Sequence, residues 1–169
     1  MKPNSLRFLV DTNIWLDYFL PFRSKHSLAF QFLDAAISLK VQLFHAATTA
    51  KDVHYFVYDF LKKAARKDNQ EITKDFLASA QELAWANLEQ MEELSTLVGM
   101  DRSDYWIAKK LRPFNSDIED NLIMAAAERA QVNYLVTNDK GLLRKSTVAT
   151  LTPEDAIELL KALTPCIQE

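Results

Sequence analysis

Four aspartates stand where apolar segments begin or end. Asp11 closes the run from Leu6 to Val10, Asp52 follows Thr49, Asp120 precedes Leu122 and Ile123, and Asp139 follows the run from Tyr134 to Val136. Carboxylates crowded at the edge of a core raise one another's pKa, and a divalent cation turns that repulsion into binding. An all-oxygen donor set suits Mg²⁺, with Mn²⁺ as the substitute, whereas zinc calls for Cys or His. The histidines, His26, His45 and His54, have no zinc-ligand spacing. Mg²⁺ takes few carboxylates, keeps several waters and completes its shell with phosphate oxygens. The chemistry expected of such a site is phosphodiester hydrolysis by a metal-activated water, without a covalent protein intermediate.

Each aspartate also has an ordinary structural reading. Asp11-Thr12-Asn13 resembles any strand end that caps a helix, Asp52 closes a capping box opened by Thr49, Asp120 reads as a helix cap, and Asp139 in NDKG as a turn. Their joint order gives the metal reading its weight, so the elements that position them matter most. Leu6 to Val10 reads as a strand that turns at Asp11 into a helix carrying Ile14, Leu16, Phe19 and Leu20. Leu28 to Leu39 is amphipathic, and Val41 to Phe44 is a second strand. The capping box places Asp52 in the first turn of a helix through Val53, Phe56, Val57, Phe60 and Leu61. Ile72 to Met91 reads as a long helix, Leu94 to Val98 as a weak strand and Asp104 to Leu111 as a helix.

After Asp120, Ile123 to Ala130 continue a helix, Tyr134 to Val136 a strand, and Val148 to Leu151 one more strand. Thr152, Pro153 and Asp155 then open the last helix as N-cap, N1 and capping-box residue. Alternating strands and helices predict a three-layer α/β/α fold around a mostly parallel sheet. In such sheets the loops after the strands gather at the carboxyl edge, where Asp11 and Asp139 would meet the helix starts that carry Asp52 and Asp120.

The chain's 169 residues, 49% hydrophobic and 11% aromatic, predict a single domain over 1–169, with a core at about 6–151 and a C-terminal helix at about 152–163. Two glycines and no Gly/Ser- or Pro-rich run offer no linker. The only cysteine, Cys166, requires no oxidising compartment, and no segment has the length of a membrane span or signal peptide, so a cytoplasmic location is expected. A net charge of −3 excludes a general nucleic-acid coat. Basic clusters at Lys62, Lys63, Arg66 and Lys67, and at Lys109, Lys110 and Arg112, remain available to a phosphate backbone, though a solvated helix face is their ordinary reading. Tyr18, Phe19, Phe22, Tyr55, Phe56, Tyr58 and Phe60 are read mainly as core or interface residues, with base stacking an option for Tyr55 or Tyr58.

The stretches FLVDTNIWLD, HAATTAKDVHYF, DIEDNLIMAAAERA and YLVTND occur in the order seen in PIN domains. From about Leu6 to Leu151 the chain resembles PIN-domain ribonucleases and is similar to VapC-like toxins. The resemblance implies a metal-dependent endoribonuclease, the toxin of a toxin-antitoxin pair, with RNA as substrate, an antitoxin protein as partner and a homodimer as a plausible assembly. It maps the family's first, third and fourth acidic residues onto Asp11, Asp120 and Asp139 as metal ligands. Asp52 takes the second position, usually Glu, and is one methylene shorter. Thr12 and Thr137 are then expected to order the site through their hydroxyls, and Asn13 to support the first turn. Asp117 reads either as a peripheral acidic group or as an N-cap. The stretch from Arg66 to Arg112 is longer than in short PIN toxins, implying an extra or lengthened helix.

Two other classes compete. The replaced second acid motivates a non-catalytic RNA-binding or regulatory PIN-like module. A phosphatase of related fold is disfavoured, since DTNIW lacks an Asp two residues after Asp11.

Overall fold

The computed structural model describes residues 5–163; Cys166 lies outside them. Strands β1 (Arg7–Val10), β2 (Gln42–Ala46), β3 (Thr96–Val98), β4 (Tyr134–Val136) and β5 (Thr150–Leu151) form one sheet in the order β3-β2-β1-β4-β5. Every pairing is parallel, so the sheet is parallel throughout rather than mostly so. Parallel neighbours need crossover connections, and helices supply them. They are α1 (Thr12–Phe19), α2 (His26–Ser38), α3 (Ala47–Lys67), α4 (Lys74–Leu94), α5 (Arg102–Leu111), α6 (Ile118–Arg129), α7 (Leu142–Lys145) and α8 (Pro153–Leu163).

The strand pleat divides the core into two layers. Phe8, Val10, Leu43 and Val136 point to one face, where α1, α2, α3, α4 and α8 bring Trp15, Phe32, Val53, Met91 and Leu160. Leu9, Phe44 and Leu135 point to the other and meet Met124, Ala127 and Leu142 of α6 and α7. The alanine-rich face of α6 lets that helix approach the sheet closely. Arg129 then fixes α5 against α6, since its Nη2 lies 2.6 Å from Asp101 and 2.7 Å from the buried Asp104.

The lengthened middle is a helical hairpin in which α3 and α4, each of 21 residues, pack together across the turn at 68–73. His54 and Trp85 join them, with ring centroids 4.8 Å apart. Two of the aromatics expected in the core, Phe22 and Tyr55, are instead 60% exposed. The expected capping box at Thr152 does form, for Thr152 and Asp155 exchange hydrogen bonds at the start of α8. The short helix α7 had no periodic signal, because four residues are too few to show one.

His45, fully buried on β2, is the core's one histidine. The Ser95 hydroxyl donates to the Met91 carbonyl at 2.7 Å, so the His45 ring must donate from Nδ1 to Ser95 Oγ, 2.8 Å away. Burial disfavours the charged ring and pushes its pKa from 6.5 down to about 4. Between those values the unfolded chain holds more protons than the folded one, so His45 makes stability fall as pH drops through that window.

Phe8, fully buried at the middle of the sheet, stacks on Phe32 at 6.1 Å and meets Tyr134 edge-on at 5.8 Å. Phe8→Ala is expected to destabilise the fold by about 3–5 kcal/mol in urea unfolding, leaving a cavity that neighbouring strands cannot close.

Candidate functional site

The strand order runs outward from β1 to β3, then returns to β4 beside β1, so the sheet's topological switch lies between β1 and β4. A crevice at the carboxyl ends of the strands is expected there. Asp11 follows β1 directly, and its backbone N–H donates to Val136 O of β4 at 3.0 Å. It is also the N-cap of α1, with its Oδ1 accepting from Thr12 N at 2.7 Å. Its Oδ2 accepts from the Thr137 hydroxyl at 2.6 Å and from the Asn13 amide. Asn13 Oδ1 in turn accepts from Asn138 N at 3.0 Å, closing the loop after β4 onto the first turn of α1. The Thr12 hydroxyl is directed elsewhere: it donates to Thr49 Oγ1 of α3 at 3.3 Å, and only its backbone N–H serves Asp11.

Asp139 is exposed and turns back on its own loop, its Oδ1 accepting from Gly141 N at 2.5 Å and Leu142 N at 3.0 Å. A Cβ on Gly141 would stand 2.8 Å from Asp139 Oδ1 and 3.9 Å from Asp120 Oδ2. Gly141 therefore sits against both carboxylates. Asp120 lies in the first turn of α6, half-buried, with Oδ2 accepting from Asn115 Nδ2 at 2.9 Å. Asp117 is the N-cap of that helix, accepting from Glu119 N at 2.9 Å and Asp120 N at 3.4 Å.

Asp52 corrects the expected position. No capping box forms at Thr49, because β2 runs straight into α3 at Ala47, Ala46 takes the extended cap conformation, and the buried Thr49 bonds Thr12 instead. Asp52 consequently lies in the second turn, with Lys51 Nζ 2.8 Å from its Oδ1. The Lys51 ammonium is held above its usual pKa chiefly by Asp52, and Glu119 adds to this, which turns the start of α3 toward the start of α6.

Electrostatics mark Asp11 as the least comfortable carboxylate. Burial pushes its pKa up to about 6; the Thr137 and Thr12 bonds oppose the rise, and the charges of Asp120 and Asp139 add to it. The main influences on Asp11 are burial, two hydrogen-bond donors and two like charges, with no cation among them. Asp120 is likewise raised, first by burial, then by Asp117 and Asp139, with Lys145 opposing. Three carboxylates within reach of each other's charge fit a hard divalent ion, although among the described residues no three such side chains already converge on one point. An ion here would take one or two carboxylates directly and keep water on its other positions.

Several supporting residues escaped the sequence reading. Asp17 is buried, ion-paired with Arg23 Nε at 2.6 Å, and accepts from Asn138 Nδ2 at 3.2 Å. Asn138 Oδ1 accepts from Lys25 Nζ at 2.7 Å, so one amide ties the loop after β4 to both ends of the α1–α2 turn. Asn115, which orients Asp120, is an amide in a loop and carries no periodic or motif signal. The one visible clue to Asp17 is its place at the end of the DTNIWLD run.

The Asp11 pKa gives a signed test. Its folded value, about 6, exceeds the 3.8 of an ordinary aspartate, so its contribution to stability is present below 3.8 and is lost as pH rises through 6. In the absence of divalent ions, the stability of the wild type relative to Asp11→Asn is expected to drop by about 3 kcal/mol across that window, as read by urea unfolding at a series of pH values. A difference that stays constant with pH would show that Asp11 is not a strained anion.

Comparison with family models matches residues 7–141 to the PIN domain. Among solved structures, the chain is similar to VapBC2 from Rickettsia felis, crystallised bound to a DNA fragment from their promoter. That likeness has a TM-score of 0.61 and 13% identity, covering 87% of this chain and 98% of that one. It is also similar to PAE2754 from Pyrobaculum aerophilum, with a TM-score of 0.55, 19% identity, and coverage of 93% and 90%. Curated protein sequences give no significant match. The family match spans all three acidic positions at the switch crevice, and the solved structures share the fold around it; the chain belongs to the PIN-domain family, whose members are generally nucleases.

Proposed function

We propose that this chain is a metal-dependent endoribonuclease acting as the toxin of a toxin-antitoxin pair. The observation that carries the reading is that Asp11, Asp120 and Asp139 stand within reach of one another's charge at the carboxyl edge of a PIN domain, with no cation among the main influences on Asp11. Mg²⁺ or Mn²⁺ would be held by these carboxylates and, when bound, supplies an activated water and a countercharge for the phosphate. The chain's own residues fix the positions. Thr137 and the Thr12 amide hold Asp11 in one orientation, Asn115 holds Asp120, and the Gly141 turn holds Asp139. Asp52 is assigned to the rim, orienting the attacking water once Lys51 turns to a phosphate. The Rickettsia structure is a VapBC complex, and on that likeness the partner proposed here is an antitoxin protein. A homodimer and a cytoplasmic location complete the reading, and no described helix is long and apolar enough to cross a membrane.

A second reading, a non-catalytic RNA-binding module, is favoured by one observation: Asp52, at the position where the family usually has Glu, is already paired with Lys51. Cleavage of a mixed RNA panel in Mg²⁺, Mn²⁺ and EDTA separates the two. Metal-dependent cleavage that disappears in Asp11→Asn and Asp139→Asn is the expected result. RNA binding without turnover under every metal condition would sink the nuclease.

Gly141→Ala tests how tightly the third carboxylate must be held. The new methyl displaces Asp139 from its two N–H donors, and activity or metal affinity is expected to fall by roughly 10–100-fold, as for other residues that orient metal ligands. Thermal unfolding of the variant should stay near wild type, and a fold that collapses instead would assign Gly141 a structural role only.

A further inference from the structure

We propose that the outward face of α5, with the loop that follows it, is a docking track for single-stranded nucleic acid leading into the acidic crevice. The proposal rests on the nuclease reading for its purpose and on separate geometry for its content. The α5 face and its loop expose Tyr105 (55%) and Phe114 (77%) to solvent. An exposed ring is ordinary when single, but these share a short segment with Lys109, Arg112 and, across a hollow, Lys145. Trp106 is excluded, because Lys110 already covers its face, with Nζ 3.5 Å from the ring centroid. Among the described residues, Tyr105 and Phe114 have no ring or cation partner.

Two hollows flank the segment. The first, of about 270 Å³, has Tyr105, Lys109, Arg112 and Ser116 on its walls and Asn121 at its base. The amide of Asn121 donates to Ala108 O and Asn115 O and so holds the end of α5 against the loop. The second, of about 400 Å³, is formed by Leu111, Phe114, Lys145 and Thr147. It adjoins the crevice through Asn115, which follows Phe114 in the chain and donates to Asp120 Oδ2 at 2.9 Å.

Each hollow thus combines a free aromatic face with at least one cation, which is what a base and its phosphate require together. A duplex hides its base faces, so the rings select unpaired strands. A run of carboxylates would satisfy Lys109, Arg112 and Lys145 but would leave the faces of Tyr105 and Phe114 without a stacking partner. The Arg129 bridges to Asp101 and Asp104 hold α5 to α6, so the track and Asp120 form one rigid unit.

The test is fluorescence anisotropy in EDTA with a short labelled single-stranded oligoribonucleotide of mixed sequence, so that affinity is read without turnover. Tyr105→Ala and Phe114→Ala are each expected to weaken binding by roughly 5–100-fold, the range for loss of one stacked base. Arg112→Ala should weaken all sequences alike and lower the salt slope by about 0.7. Lys161→Ala, on α8 and away from the track, should bind as wild type. All three side chains are exposed, so truncation should leave the circular dichroism unchanged.

Wild-type affinity in all three variants, or equal loss on an RNA duplex of the same length, would overturn the track. So would binding of polyglutamate through the same residues with no RNA binding, which would assign the face to an acidic protein. A wild type that cleaves nothing while these variants lose strand binding would keep the track and remove the nuclease. Unchanged cleavage and binding in the variants would do the reverse.

Discussion

An ionised carboxylate withdrawn from water needs donors or a countercharge, and at Asp11 the main support the fold supplies is donors. Much of the surrounding architecture is arranged by that need. Asp11 sits at the junction of β1 and β4 because only there can one carboxylate reach the N-terminus of α1 and the Thr137 hydroxyl together. The Asn13 side chain then serves Asp11 and the loop after β4 at once. The donors leave Asp11 with a raised pKa rather than a lowered one, so the site is ordered while its charge remains unbalanced. A protein seeking only stability would have neutralised this residue; one that binds a cation has reason to leave it.

The other two carboxylates are held by weaker means, and the difference follows from where they stand. Asp139 is exposed and relies on a turn whose tightness depends on a hydrogen at Gly141 in place of a side chain. Asp120 relies on Asn115, an amide from the loop that also carries Phe114. The crevice is therefore built from one fixed wall and two adjustable ones. Asp17, Arg23, Lys25 and Asn138 form a belt behind the fixed wall and join the loop after β4 to the α1–α2 turn.

The strands and most helices were legible because hydrophobic period reports burial directly: Leu9 and Leu135 alternate with Phe8 and Val136, and the α6 alanines recur on one face. That Asp11, Asp120 and Asp139 share the sheet's carboxyl edge was legible because strand ends and the helix starts that follow them gather there in a parallel sheet. The start of α3 was not, since Thr49 followed by Asp52 has the pattern of a cap yet Thr49 is buried beneath α1 and its hydroxyl is used there. Asn115 and the Asp17 belt were invisible for a related reason, as their partners lie far off in sequence and no local pattern names them. In RSDYWIAKKLRPF, periodicity could show that Asp104 and Ala108 faced inward, but which rings kept free faces depended on contacts such as Lys110 on Trp106.

The buried His45 has a consequence for the molecule in acid. It releases protons on folding over the range where Asp11 takes them up, with folded values of about 4 and about 6 on opposite sides of the unfolded ones. The two linkages have opposite signs, so each offsets part of the other. On mild acidification of the cation-free protein the crevice takes up a proton at Asp11 while the core keeps His45 neutral, so the first change of charge falls at the site and not between the two core layers.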